Sequence, residues 1–246
     1  RAWLDANEGA SIETKPFDLD AILVNPDLPT AIIARIREIL ASFSDVFDSS
    51  SGQLPKPFST EPVVLNFKPD AVAQSIPEPR WTHALGRVIT KWAEDALASG
   101  AYEHSKSAWA ARPHVVLKPP AGLRAADAPI GQCKLRVCGD YRMANSQIDK
   151  LTPNLPTGTH ELEKAAGHQF YWESDSVACY NSFVLAPGLS REALAIWTPI
   201  GLLQPCVLPF GQKNSGTEAQ GPYRQAAAAL KNLSNYVDDW LGYADT

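Results

Sequence analysis

Three aspartates carry the densest chemical signal in the sequence. Asp238 and Asp239 stand side by side between Tyr236-Val237 and Trp240-Leu241. Adjacent carboxylates repel, so the pair needs either water or a cation to neutralise it. A solvated turn does the first. A hard divalent ion such as Mg²⁺ does the second, because it favours one or two carboxylates together with substrate phosphates. Asp175 is the candidate third acid: it closes the run Phe170-Tyr-Trp-Glu-Ser-Asp175, with the aromatic Tyr180 five residues further on. Three such acids brought together would suit phosphoryl transfer, in which two ions stabilise the attacking and leaving oxygens.

The elements around these residues must position them. The β-prone residues on both sides of Asp238-Asp239 predict a hairpin over 235–243 with the acids at its turn, and Phe170–Ser174 reads as a strand. Other short strands are expected at His114–Lys118, Lys134–Gly139, Ala193–Thr198 and Cys206–Leu208, punctuated by Pro119-Pro120-Ala121-Gly122 and Gly201. Helical spacing of Ile32, Ile33, Ile36, Ile39, Leu40 and Phe43 predicts a helix from Thr30, with Asp27 available as its cap. Ser49–Gly52 then breaks it. A second helix is expected over 79–99, stopped by Gly100, and shorter ones over His160–Ala166 and Gln225–Leu233. Helices mixed with mainly antiparallel strands make the fold class α+β. Residues 1–29 read as an acidic arm or linker, and 30–246 as the folded part.

Composition sets the outer bounds. The chain has 246 residues, 45% hydrophobic and 20% charged, a globular profile with room for a sizeable core. No apolar run reaches the roughly 18–20 residues of a membrane helix. With 22 basic and 27 acidic side chains the net charge is −5, which taken whole argues against nucleic acid. The distribution argues otherwise. Residues 1–50 hold 4 basic and 9 acidic groups, whereas residues 101–150 hold 8 and 4. A locally basic segment from about Lys106 to Lys150 therefore sits inside an acidic chain. Cys133, Cys138, Cys179 and Cys206 are too few for a disulfide scaffold, and four residues between the first two suit zinc poorly. They read as reduced, inert thiols.

Several stretches, in order, carry a family resemblance. They are Phe43-Ser-Asp-Val-Phe47 with Leu54-Pro55, Gly100–Lys118, Arg136–Asn145, Thr198-Pro-Ile-Gly201 with Leu208–Gln220, and Tyr236-Val-Asp-Asp239. From about residue 38 onward the chain resembles the reverse transcriptase of Gypsy-type LTR retrotransposons, and more distantly the retroviral enzymes. The resemblance implies the fingers and palm of a right-hand polymerase, with a ferredoxin-like antiparallel palm sheet whose catalytic segments span about 170–246. It implies that Asp175, Asp238 and Asp239 bind two Mg²⁺ or Mn²⁺ ions and catalyse RNA-directed DNA synthesis. Tyr236 and Val237 complete the family's signature. Tyr180 takes the place of the ring that excludes a ribose 2′-hydroxyl, Arg136 and Lys118 would grip the triphosphate, and Phe210 and Gln220 would line the nucleotide and template pocket.

The implied partners are a primed RNA or DNA template, dNTP and the rest of a pol polyprotein, in the cytoplasm or nucleus. The sequence opens without Met and stops seven residues after Asp239, so the thumb is expected to lie outside it. The alternative is an inactive, retroelement-derived domain kept as a scaffold subunit of a larger complex. Two departures from the family have local consequences. Gly139 replaces a β-branched residue and should weaken its strand. Gly221-Pro222 should interrupt the helix after Gln220, because proline removes a hydrogen bond there.

Overall fold

A computed structural model describes residues 22–44, 54, 57, 58, 61–118, 122, 124, 134–152 and 155–245. Most of the acidic arm, the Ser49–Gly52 break, Pro119-Pro120-Ala121, Cys133 and the side chain of Lys118 lie outside the described residues. The chain divides into two compact units, Asn7–Gln53 and Leu54–Thr246, the latter with Arg1–Ala6.

In the smaller unit helix α1 spans Thr30–Ser42, as the isoleucine spacing predicts, and none of its residues is buried. Its cap differs from expectation. Pro29 holds the cap position and its carbonyl accepts from the Ile32 and Ile33 amides. Asp27 instead donates its amide to Asn25 Oδ1 in the preceding turn.

In the larger unit α2 (His83–Ala98) starts four residues later than the periodicity suggests, because the Thr82 hydroxyl accepts from the Leu85 amide and caps it there. Gly100 follows with φ of 77°, a left-handed stop. Next come β1 (Tyr102–His104), β2 (Pro113–Lys118), β3 (Lys134–Gly139), α3 (Arg142–Gln147), α4 (Gly158–Ala165) and β4 (Phe170–Asp175). A 3₁₀ turn over Cys179–Ser182 leads to α5 (Leu189–Glu192), β5 (Ile196–Thr198), β6 (Gly201–Pro205), α6 (Ser215–Ala228), β7 (Leu233–Tyr236) and β8 (Asp239–Ala244). The strands form three antiparallel sheets, ordered β1-β6-β5, β2-β3 and β4-β8-β7. This is an α+β fold.

Three further elements depart from what the sequence predicts. The expected strand at Ala193–Thr198 keeps only its second half, since Ala193 to Ala195 close the turn after α5. The strand expected at Cys206–Leu208 runs earlier, as β6, and Pro205 ends it. Val207 keeps a single bridge to Val184. Helix α6 begins ten residues before Gln225 and runs unbroken through Gly221 and Pro222. Its buried face (Ala219, Gln220, Tyr223, Ala227) is held by the core, and that packing outweighs the lost proline hydrogen bond.

The core gathers Leu65, Ile148, Phe183, Leu185, Leu194, Ile196 and Leu208 around Tyr141 and Tyr223. Each fully buried aliphatic there contributes about 1.5–3 kcal/mol. Gly139 takes on a different meaning in this core. A Cβ at that position would fall within the Tyr141 ring. The strand gives up a side chain so that Tyr141, only 2% exposed, can fold back against it.

Candidate metal centre

The three aspartates come together through strand register. β4 and β8 pair antiparallel with Asp175 directly opposite Asp239, although 64 positions separate them. β7 and β8 are joined by the two-residue turn Val237-Asp238, with Tyr236 opposite Asp239. One carboxylate oxygen from each of Asp175, Asp238 and Asp239 lies within 4.8 Å of the others, and all three residues are exposed.

The turn is held from behind. Val237 has φ of 57°, a left-handed conformation that a β-branched residue adopts only under constraint. The constraint is a buried polar bracket. Gln220 is 0% exposed and its Oε1 accepts from the Val237 amide at 2.7 Å, while its Nε2 donates to Asn235 Oδ1 at 2.8 Å. Asn235 in turn donates Nδ2 to the carbonyls of Val237 and Asp239, both at 3.1 Å. On the other side the Ser176 amide donates to the Asp238 carbonyl at 2.8 Å, and Trp240 Nε1 donates to Ser176 Oγ at 2.7 Å.

Beside the acids stand the 3₁₀ turn and the loop after β6. Ala178, with φ of 50°, bends the chain so that Cys179 is buried and Tyr180 is half-buried. Burial pushes the Cys179 thiol up to about 11, with the carboxylates of Asp238 and Asp175 adding to the rise. The Tyr180 hydroxyl is raised by the same two causes, burial first and then negative charge from Cys179 and Asp238. Tyr180 meets Phe210 edge to face at 5.2 Å, and the Arg136 guanidinium lies 5.5 Å over the Phe210 ring. Beyond these, Arg112, His114 and Arg142 line a groove of about 720 Å³. Arg142 grips Asp140 through two bonds of 2.7 and 2.6 Å, which holds that carboxyl below its usual range.

The residues expected at the site divide accordingly. Asp175, Asp238, Asp239, Tyr236 and Val237 share one hairpin and its neighbouring strand. Tyr180, Phe210 and Arg136 form one ring-and-cation chain. Gln220 is buried behind the turn, where its amide is the partner of the strained Val237 backbone. Lys118 stands at the end of β2, opposite Lys134. Asn235, Ser176 and Trp240 carry no motif signal.

The donor set fits the ion. Three exposed carboxylates with converging oxygens are hard ligands with like charge, which a divalent cation neutralises while keeping positions open for water and phosphate.

No family model matches the sequence, and no curated protein matches it. Solved structures do. The chain superposes on a mutant prototype foamy virus protease-reverse transcriptase with a TM-score of 0.73 over 93% of this chain, at 15% identity. It superposes equally on the foamy viral protease-reverse transcriptase in complex with an RNA/DNA hybrid (TM-score 0.73, 94% of this chain, 15% identity). The same protein in complex with dsDNA gives 0.72 over 89% at 15% identity. The fold is reverse-transcriptase-like. The chain spans 29%, 31% and 43% of the lengths of those three solved chains. Among the described residues no helix is long and apolar enough to cross a membrane.

Proposed function

We propose that this chain is the fingers-and-palm module of an RNA-directed DNA polymerase, a nucleotidyltransferase from the pol polyprotein of a Gypsy-type LTR retroelement. The observation that carries this reading is the convergence of Asp175, Asp238 and Asp239 within 4.8 Å on a reverse-transcriptase-like fold. These three carboxylates would hold two Mg²⁺ or Mn²⁺ ions. The ions, when bound, supply Lewis-acid activation of a primer 3′-hydroxyl and neutralise the leaving pyrophosphate.

The rest of the chemistry falls to the chain itself. Asp175 and Asp239 face each other from paired strands, so the distance between them is set by the sheet. The Gln220–Asn235 bracket fixes Asp238 on its strained turn. Arg136, and Lys118 at the end of the neighbouring strand, would take the triphosphate as cationic donors. The Tyr180 ring would close the space beside the sugar carbon that carries a 2′-hydroxyl in ribonucleotides. A primed template would approach along the basic fingers segment, where Arg112 and His114 face the groove.

The test is extension of an oligo-dT primer on poly-rA in Mg²⁺. The expected outcome is extension by the wild-type chain and none by Asp238→Asn/Asp239→Asn. No extension, or extension indifferent to the double substitution, would turn the reading to the scaffold alternative.

A further inference from the structure

Besides the Gln220–Asn235 bracket, the acidic hairpin has a second support, and it is made of rings. Trp240 follows Asp239 in β8 and pairs with Ser174, the residue before Asp175. Its indole Nε1 donates to Ser176 Oγ at 2.7 Å, and the Ser176 amide donates to the Asp238 carbonyl at 2.8 Å. The Trp240 ring meets Tyr223 of α6 at 5.3 Å with an interplanar angle of 55°. Tyr223 stands three residues after Gln220, so both supports leave the same buried face of one helix.

The ring chain ends on Phe58, a residue from the start of the larger unit. Phe58 meets Tyr223 edge to face at 4.4 Å and 84°, and Phe183 at 6.0 Å. Its amide donates to the Ser182 carbonyl at 2.8 Å, which ties it to the 3₁₀ turn of Cys179–Ser182. The backbone stays beside this stretch further on. The Val63 amide donates to the Val184 carbonyl at 2.8 Å, and the Val63 carbonyl accepts from the Ala186 amide at 2.9 Å. Phe58 is 43% exposed, whereas Tyr223 and Phe183 beneath it are 2% and 1% exposed. A ring left so open adds little to the core by its own burial; it serves as a cap over Tyr223.

We propose that Phe58 is a positioning residue for the metal centre, acting on the Asp238-Asp239 hairpin through Tyr223 and Trp240. Edge-to-face rings prefer a definite tilt, so Phe58 limits the swing of Tyr223, and Tyr223 limits that of Trp240. The indole bond to Ser176 then passes this restraint to the Asp238 carbonyl. Without the first ring Tyr223 gains room toward solvent, and the slack reaches the hairpin. The inference rests on the metal-binding reading of the three acids and deepens it. Ion affinity is set partly by the segment through which the chain enters the larger unit, far from the acids in sequence.

The test uses the full chain with Phe58→Leu, which keeps apolar cover but lacks the ring, and Phe58→Tyr, which keeps the ring. Trp92→Leu is the control: it breaks another edge-to-face pair, Trp92 with Tyr102 at 5.0 Å and 73°, between α2 and β1. In Mn²⁺ titration Phe58→Leu should raise the Kd about 2- to 10-fold, the worth of one ring pair, and Phe58→Tyr should restore it. Trp92→Leu should lower the melting temperature and leave the Kd within about twofold. A second arm needs no metal. Hydrogen exchange at the Trp240 indole N–H should quicken about 2- to 10-fold in Phe58→Leu and stay unchanged in Phe58→Tyr and Trp92→Leu. An unchanged Kd in Phe58→Leu, or an equal rise in Trp92→Leu, would overturn the proposal. Indole exchange indifferent to Phe58→Leu would overturn the bracing itself. If the wild type binds no Mn²⁺, the metal-centre reading fails, and the exchange arm still decides whether Phe58 braces Trp240.

Discussion

Two three-stranded sheets in the larger unit solve opposite problems. In β1-β6-β5, Ile196 and Leu203 are fully buried and the strands are located by the core they fill. In β4-β8-β7 every residue of β4 is exposed, and Phe170, Tyr171 and Trp172 stand about half open. A sheet that is to present carboxylates to cations and phosphate, as we propose, cannot bury the strand that bears them. Its precision comes from behind instead, from Gln220 and Asn235, which are 0% and 4% exposed and hydrogen-bond the backbone of the hairpin rather than the carboxylates. Packing fixes one sheet; a buried polar network fixes the other.

The contrast can be broken at either sheet. Asp175→Asn should have the largest effect, lowering primer extension by about 10³-fold or more. The melting temperature should hold or rise, because a repelling charge is removed. A fall in both would mean that the acid is structural. Gln220→Leu comes next. It leaves the Val237 amide and Asn235 without their buried partner, at a cost of about 1–3 kcal/mol for each unsatisfied group. Extension should drop about 100-fold through misplacement of Asp238. Hydrogen exchange at the Val237 amide should quicken, while the Ile196 and Leu203 amides in the buried sheet stay protected.

Gly139→Val tests packing instead. Local β-propensity says that it should stabilise the strand, whereas collision with the Tyr141 ring should destabilise the protein by about 1–3 kcal/mol in chemical denaturation. The smallest effect belongs to pH. Burial raises Tyr102 in β1 to about 12, and Tyr141 is pushed higher than its free value by the same cause. Since the folded value lies above the free value of 10, the stabilisation is complete below pH 10 and is lost as pH rises toward 12. Stability should therefore decline between pH 10 and 12, and Tyr102→Phe should flatten that decline.

What the sequence revealed and concealed follows the same division. The acids, the hairpin around them and the strand ending at Asp175 were legible, because each is a local pattern of residue types. The register that sets Asp175 opposite Asp239 was not, since no local rule links strands so far apart in the chain. Gln220 could be matched to a family position, but only the packed α6 reveals that it braces the turn from behind. Pro222 and Gly139 misled for one reason. Proline in a helix and glycine in a strand are unfavourable locally, and both positions are decided by what packs against them, the buried face around Tyr223 and the ring of Tyr141.

The central claim is that the exposed sheet exists to hold divalent cations. Titration of Mn²⁺ into the full chain, followed by electron paramagnetic resonance, tests it most directly. Wild-type protein should bind ions that Asp175→Asn/Asp238→Asn/Asp239→Asn does not, with Mg²⁺ competing for the same sites. Equal Mn²⁺ binding by the two proteins would contradict the account.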